Sequence, residues 1–374
     1  MTPSGFYLQY TGQHSDRLVG LANALTDNSG NHPGIAFSPL GSSERLRRLY
    51  SRVRPTIDAF LDPCGYLIDR DHSGQRERHY PWIDSSYGRP TSTEGWRAWM
   101  QASIKHQTTA GGMLDTASQP EIVVAPSPYL RAAATPGELY PLLDAWFFLH
   151  TEIGGDLWLS LNVDREYLRE ETHLTRLADA LVDANPPGLI LRYFQANLAP
   201  VGDRRALEGL REIVTACAAA GIPIFLPNCG WTGWLAMAWG AHGFSGGLSR
   251  GSWYDRWPTP MSQPTPESKI FDRAVLRHVT WTTQQVLANQ PGYSACQCDS
   301  CEATGTAFNA EEASLHQIRV GLELGNELAG LSLTDRATRV RDLLDEAIAF
   351  RDGLSNVLQG RVAAGFLDTW RSLV

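Results

Sequence analysis

Short apolar runs alternate with amphipathic segments along most of the chain, and this alternation restricts the fold more than any other sequence feature. Eight such runs are present: 6–10, 34–38, 57–62, 121–126, 157–162, 189–194, 222–228 and 242–247. Runs that are apolar throughout are typical of parallel strands buried on both faces. Segment 204–221 between two of them places Leu207, Leu210 and Val214 on one helical face. Eight strands alternating with helices over about 250 residues predict a (β/α)8 barrel, or TIM barrel.

An open, doubly wound α/β sheet is the alternative, but no GxGxxG turn follows any predicted strand. After residue 250 the pattern changes, since 251–268 is rich in Pro, Ser and Trp. Three later segments have helical patterns: 270–290, 309–330 and 334–358. We therefore predict a barrel over 1–268 and a region of closing helices over 269–374 that packs on the barrel.

Composition restricts the class of protein. The 374 residues carry 32 Lys and Arg against 40 Asp and Glu, a net charge of −8, which argues against a protein that coats nucleic acid non-specifically. No uncharged apolar run reaches the length of about 18 residues that a transmembrane helix needs. The first residues lack the basic and apolar regions of a secretory signal. These features predict a cytoplasmic protein with no membrane partner.

Three of the six cysteines lie within six residues, as Cys296, Cys298 and Cys301, and His316 follows in a predicted helix. Disulfide frameworks of large proteins are not spaced in this way. Three thiolates and one imidazole suit tetrahedral zinc, and four protein ligands leave no open position. We therefore predict a structural Zn²⁺ site, which makes 269–374 a zinc-binding helical region. Other candidates for the fourth ligand are His278, Asp299 and Asp335.

Together, the predicted barrel and the Cys-x-Cys-x2-Cys…His motif resemble the tRNA-guanine transglycosylase superfamily. The resemblance extends loosely over residues 57–330. Members of this superfamily exchange guanine for a 7-deazaguanine in tRNA or DNA. The resemblance implies a base exchange at an N-glycosidic bond, a nucleobase or nucleoside ligand, structural zinc, and a homodimer or a partner subunit.

The third predicted strand ends in FLDPCGY, which contains Asp62 and Tyr66. In the family, the corresponding Asp is the general acid/base and the aromatic residue stacks on the base, so the resemblance implies these roles here. Polar residues at the carboxyl ends of barrel strands are also typical catalytic residues. A turn-forming Asp before Pro63 is an equally good interpretation of Asp62.

The next predicted strands end in candidate substrate-binding residues. Ser127 follows the fourth strand, where the family has a base-reading Asp, so that carboxylate is missing. Asn162 ends the fifth strand, where the family has a Gln with the same donor and acceptor groups. After the sixth strand, Arg192 and Gln195 replace the Gly-rich turn of the family.

Gly230 and Trp231 lie where the seventh strand passes into the next helix. Five of the twelve Trp residues lie between 231 and 257. A stacking platform for a nucleobase is one interpretation of this cluster. Core packing is the other, and it is favoured for Trp234 and Trp239. We expect Trp231, at the junction of loop and helix, to line the pocket.

The eighth strand departs most from the family, because Ser245 stands where the family has its nucleophilic Asp. An unactivated hydroxyl captures an oxocarbenium-like sugar carbon far less readily than a carboxylate does. Asp255, ten residues further on, is a candidate replacement.

Three hypotheses follow from these residues. The first is an enzyme that cleaves or exchanges the base at an N-glycosidic bond. The second is a catalytically lapsed accessory or binding subunit of such an enzyme, favoured by the missing carboxylates at Ser127 and Ser245. The third, from outside the family, is a zinc-stapled barrel hydrolase for a small nucleoside or sugar.

Overall fold

The computed structural model of the chain describes residues 2–10, 33–38, 48–50, 57–65, 89–108, 122–131, 137–193, 202–246, 269–296 and 310–374. Eight parallel strands form the barrel wall: β1 (Gly5–Tyr10), β2 (Gly34–Phe37), β3 (Ala59–Leu61), β4 (Val123–Ala125), β6 (Leu157–Val163), β7 (Leu189–Tyr193), β8 (Ile224–Leu226) and β9 (Gly243–Gly246). The two-residue strand β5 (Tyr129–Leu130) also pairs with β6. Each predicted apolar run overlaps one of the eight wall strands, and the bounds differ by a residue or two.

Strand pairing curves the sheet into a nearly closed ring in the order β3-β2-β1-β9-β8-β7-β6-β4. The first and last wall strands pair directly, with Gly5 opposite Gly243 and Tyr7 opposite Ser245. The two end strands of this order, β3 and β4, lie in contact with each other. The prediction of a (β/α)8 barrel is therefore confirmed.

The helices surround the strands. Their bounds are α1 (Thr93–Thr108), α2 (Leu139–Ile153), α3 (Glu171–Ala184), α4 (Arg204–Ala219), α5 (Trp231–Met237), α6 (Trp281–Ala288), α7 (Ala310–Ala329), α8 (Leu333–Asp352), α9 (Asn356–Val362) and α10 (Phe366–Arg371). Helix α4 begins where the Asp203 carboxylate accepts a hydrogen bond from the Ala206 backbone N–H at 3.3 Å. Its apolar face, with Leu207, Leu210 and Val214, is buried as the spacing predicts.

The expectation of a helix over 270–290 is wrong for its first half. Residues Lys269–Asp272 (β10) and Arg277–Thr280 (β11) form an antiparallel hairpin, and only Trp281–Ala288 is helical. Ile270 is β-branched and Phe271 is aromatic, two residue types that favour strands, and both side chains are buried. Leu276 takes a left-handed backbone conformation, with φ 48°, at the turn between the strands.

Helix α7 attaches the C-terminal region to the barrel. It packs against β1, where the Phe6 N–H donates to the Asn326 side-chain oxygen at 3.4 Å, and also contacts β9 and β10. The helix therefore covers the wall where the first and last strands meet. The predicted division of the chain at residue 268 stays a prediction.

Alternate residues of each strand point into the barrel, so the inward-facing side chains lie in layers along the barrel axis. The lower layer is a separate apolar cluster formed by Tyr7, Ala36, Phe60, Ile122, Val124, Trp158, Ile190 and Phe225. Two residues further along the strands, the inward positions become polar, as Gln9 follows Tyr7 and Arg192 follows Ile190. This shift places polar side chains at the carboxyl end of the barrel, where TIM barrels carry their active sites.

No helix in the described part of the chain is both long enough and apolar enough to cross a lipid bilayer.

Candidate active site

Eight buried polar side chains lie between the middle of a barrel strand and the residues just beyond its carboxyl end, and we call them the polar belt. None is more than 4% exposed. The polar belt consists of Gln9, Ser38, Asp62, Ser127, Ser160, Asn162, Arg192 and Ser245. The structure thus brings together five of the residues that the sequence singled out, from the third, fourth, fifth, sixth and eighth wall strands.

The polar belt is centred on a buried ion pair between Asp62 and Arg192. Arg192 Nη2 donates a hydrogen bond to Asp62 Oδ2, and each of the two side chains is 1% exposed. The other terminal nitrogen, Nη1, donates to Asn162 Oδ1 at 3.2 Å and to Ser160 Oγ at 3.4 Å. Since a buried charge is costly unless it is paired and hydrogen-bonded, each ion makes the burial of the other possible.

The second Asp62 oxygen is held by the backbone that follows β3. Oδ1 accepts a hydrogen bond from the Cys64 N–H at 3.1 Å. Cys64 itself has φ 50°, a conformation that is strained for a residue with a side chain. The following Gly65 has no room for a side chain, because an added Cβ would lie 2.5 Å from the Ser127 carbonyl oxygen. The tight turn therefore brings Asp62 close to the end of β4.

Asn162 and Ser127 form a second hydrogen-bonded unit of the polar belt. The Asn162 amide nitrogen donates to the Ser127 carbonyl oxygen at 2.8 Å and to Ser127 Oγ at 3.0 Å. The Asn162 backbone N–H also donates to Ser127 Oγ at 3.0 Å. Because Asn162 Oδ1 accepts from Arg192, this unit fixes the orientation of the guanidinium.

Ser245 is hydrogen-bonded on two sides. Its hydroxyl donates to Gln9 Oε1 at 2.6 Å and accepts from the Asn228 backbone N–H at 2.7 Å. No His, Lys, Asp or Glu side chain takes part in either bond. Within the described residues, neither bond supplies the base that activates serine nucleophiles.

Gly230 and Trp231 lie next to this serine at the start of α5. Gly230 has φ 56° and its N–H donates to the Ser245 carbonyl oxygen at 3.4 Å. Trp231 is 7% exposed and stacks on Phe271 of the hairpin, with ring centroids 3.8 Å apart. One face of the indole is thus covered by Phe271.

Two further ionisable groups near the polar belt stay protonated. Burial raises the pKa of the Cys229 thiol, which donates to the Leu226 carbonyl oxygen at 2.9 Å. Burial likewise raises the pKa of the Tyr193 hydroxyl well above its ordinary value. Since the thiolate is the nucleophilic form of cysteine, Cys229 is a packing residue here.

Cys296 and His316, two of the four predicted zinc ligands, line one cavity of about 460 Å³ beside the β10–β11 hairpin. His316 Nε2 lies 2.6 Å from the Phe271 carbonyl oxygen, which can only accept a hydrogen bond. His316 Nε2 therefore carries a proton and donates it to this carbonyl oxygen. Asp272 lines the same cavity, and burial raises the pKa of its carboxyl to about 6.

Within the described residues, no group of three or more His, Cys, Asp or Glu side chains is placed to hold a metal ion. Five predicted site residues lie outside the described part of the chain: Tyr66, Gln195, Asp255, Cys298 and Cys301. Of the alternative zinc ligands, His278 bonds Gln317 Oε1 at 3.0 Å, and Asp335 accepts from the Ser332 hydroxyl at 2.6 Å. The third alternative, Asp299, also lies outside the described residues.

Three members of the polar belt are not among the residues predicted from the sequence, namely Gln9, Ser38 and Ser160. Each lies two residues beyond an inward-facing apolar residue, at Tyr7, Ala36 and Trp158. Side chains two residues apart in a strand point to the same face. The residue two positions after each inward-facing apolar residue is therefore the one to inspect for a polar side chain.

No protein-family model matches the chain, and no curated protein matches it. Among solved structures, a proposed fructose-1,6-biphosphate aldolase from Coccidioides immitis is similar, with 10% sequence identity and a TM-score of 0.38. The match covers 88% of this chain and 92% of that chain. A likeness this weak carries no weight for the chemistry, so the barrel assignment rests on the strand pairing itself.

Proposed function

We propose that the protein acts on the N-glycosidic bond of a guanine or 7-deazaguanine nucleotide in tRNA or DNA, as a divergent relative of the tRNA-guanine transglycosylases. The observation that carries this proposal is the buried Asp62–Arg192 ion pair at the carboxyl end of the barrel. Heterolysis of an N-glycosidic bond develops positive charge on the sugar carbon and negative charge on the departing base. An ion pair supplies one fixed charge of the opposite sign for each.

In this reaction Asp62 is the charged group that faces the sugar. A guanidinium and two further donors surround its carboxylate, and such donors favour the ionised form over the protonated one. An ionised carboxylate suits the stabilisation or capture of an oxocarbenium-like carbon better than it suits proton donation. The role proposed for Asp62 therefore differs from the general acid/base role that the resemblance implies.

Arg192 is the proposed reader of the base. Guanidinium groups pair preferentially with the acceptor edge of guanine, and its O6 is retained in 7-deazaguanine. Asn162 Oδ1 and Ser160 Oγ accept hydrogen bonds from the guanidinium, so its orientation is set before a base binds. Ser127 supports Asn162 from the neighbouring strand end. The proposed contacts with Tyr66, Gln195, Gly230 and Trp231 remain predictions.

The test is incorporation of radiolabelled guanine and of a labelled 7-deazaguanine into tRNA and into DNA by the purified protein. We expect incorporation by the wild type and a decrease of at least about 100-fold for Asp62→Asn, since the charge that stabilises the sugar cation is lost. Asp368→Asn is the matched control, because Asp368 also pairs with an arginine but lies on α10 at the surface.

The control is expected to keep the wild-type rate. Equal rates for wild type and Asp62→Asn would contradict the proposal, as would the absence of incorporation into both polymers over a range of conditions.

A second candidate function is a binding subunit that has lost catalysis. The observation in its favour is that Ser127 and Ser245, at the two positions where the family has carboxylates, are fully engaged in hydrogen bonds within the protein. This candidate predicts that calorimetry detects binding of guanine or a 7-deazaguanine while the incorporation assay detects no exchange.

We also propose that Cys296, Cys298, Cys301 and His316 hold a structural Zn²⁺ ion. The fit is supported by His316, because zinc-bound histidines commonly donate their second ring N–H to a backbone carbonyl, as Nε2 does to Phe271. Cys296 shares the cavity that His316 lines. When bound, the ion would tie the segment after α6 to helix α7.

Elemental analysis tests the zinc proposal. We expect about one zinc ion per chain in protein purified without chelator, and a large loss in Cys296→Ser, because a thiolate ligand is removed. Removal of the ion by a chelator is expected to lower Tm, since binding energy at structural sites is folding energy. Cys217→Ala is the control and should retain the metal, because Cys217 is buried in α4. The site would be ruled out if the purified wild type contained no metal and its Tm were the same with and without chelator.

A further inference from the structure

The Gln9 side chain joins the two halves of the polar belt. Its Nε2 donates to Ser38 Oγ at 2.8 Å and to Asp62 Oδ2 at 3.3 Å. Its Oε1 accepts from the Ser245 hydroxyl at 2.6 Å. The amide is 4% exposed, so these contacts are made away from bulk water. One side chain of β1 therefore contacts both the buried carboxylate and the buried hydroxyl.

The charge of Asp62 determines which way the amide of Gln9 faces. In the opposite orientation, Oε1 would face the carboxylate, and two acceptors would be placed against each other in a buried site. With Nε2 toward Asp62, Oε1 faces Ser245 and can only accept, so the hydroxyl proton of Ser245 must point to Gln9. Asn228 N–H occupies the remaining side of Ser245 Oγ.

We propose that Gln9 is a positioning residue that orients the Asp62 carboxylate and accepts the hydroxyl proton of Ser245 in a hydrogen bond. Asp62 is then the reacting group of the polar belt. This inference rests on the proposed function for its catalytic meaning. Ser245 is then a support for the Asn228 backbone and for Gln9, and the missing family carboxylate at position 245 is not replaced by a serine nucleophile.

The first test needs no catalytic activity. Protein labelled with ¹³C at the Asp carboxyl carbons is titrated by NMR, and the Asp62 signal is assigned from its absence in Asp62→Asn. Gln9→Met removes the amide donor at nearly constant length. We expect it to raise the titration midpoint of Asp62 by about one pH unit, because a hydrogen bond to the charged form is lost.

Gln9→Glu should raise the midpoint further, because it places a second acidic group beside Asp62 while keeping an acceptor for Ser245. Ser38→Ala is the matched control, since it removes the other partner of Gln9 Nε2 without touching Asp62. A lower stability of the Gln9 variants with an unmoved Asp62 midpoint would assign Gln9 a purely structural role and overturn the inference.

The second test uses the incorporation assay. Gln9→Met is expected to lower kcat with little change in KM, and to move the acidic limb of the pH–rate profile by the same amount as the NMR midpoint. Ser245→Ala is expected to reduce the rate by no more than about tenfold, whereas loss of a nucleophile costs far more. A rate loss in Ser245→Ala as large as that in Asp62→Asn would overturn the inference.

The two tests separate the two proposals. A midpoint shift without any base incorporation would support the role of Gln9 and contradict the proposed function. Base incorporation that depends on Asp62, without a midpoint shift in the Gln9 variants, would support the proposed function and contradict the role of Gln9.

Discussion

Replacing Arg192 by methionine is expected to lower the free energy of unfolding by about 3–5 kcal/mol, because the Asp62 carboxylate is then buried without its counter-charge. Methionine keeps most of the apolar volume of the arginine stem, so the loss comes from electrostatics more than from a cavity. Two acceptors, Asn162 Oδ1 and Ser160 Oγ, also lose a donor. Urea unfolding followed by circular dichroism measures the change.

A double variant separates the charge effect from the packing effect. Combining Arg192→Met with Asp62→Asn removes both charges, and we expect it to recover most of the stability that the single variant loses. Arg204→Met is the control, because Arg204 forms an exposed pair with Glu208 and should change stability by less than about 1 kcal/mol. A double variant no more stable than Arg192→Met alone would show that the ion pair is not the source of the loss.

The second large effect is expected at Gly209, in the middle of α4. A Cβ built on Gly209 would lie 2.0 Å from the Leu168 backbone oxygen, which belongs to the 3-10 turn 165–168. A backbone atom cannot rotate away as a side chain can, so the helix and the turn would have to separate. We expect Gly209→Ala to lower the free energy of unfolding by about 3 kcal/mol.

The same substitution at Gly360 is the matched control and has the opposite expected sign. Gly360 is also helical, in α9, but an added Cβ there meets nothing within 4 Å. Gly360→Ala is expected to raise the free energy of unfolding by about 0.5–1 kcal/mol, because alanine loses less backbone entropy in a helix. Two variants of equal stability in thermal and urea unfolding would contradict the packing argument at Gly209.

The fold could be predicted from the sequence because both faces of the wall strands are buried. The outer face packs against helices, as Leu159 and Leu161 of β6 do, and the lower inner face is apolar too, as Trp158 shows. Each strand therefore appears as a continuous apolar run. The hairpin over 269–280 is not predicted, because each of its strands has only four residues and so few residues show no clear alternation of apolar and polar side chains.

The candidate site could be predicted only in part. Asp62, Asn162 and Arg192 each stand at a predicted strand end, which is a local property of the sequence. Asp62 and Arg192 are 130 residues apart in the chain, and their strands β3 and β7 are not neighbours in the sheet, so their pairing depends on the closed barrel. Gln9 carried no signal by itself, since a single polar residue near the end of an apolar strand is ordinary.

The position of Asp62 on the ring of strands has a mechanical consequence. Among the described strands, β3 is paired only with β2, and β4 is joined to the sheet only through β6. A strand held along one edge opens at a smaller free-energy cost than a strand held along both. Amide hydrogen exchange should therefore be faster in β3 than in the doubly held β7. The acidic residue that we place at the reaction centre therefore directly follows a strand that is hydrogen-bonded to the sheet along one edge.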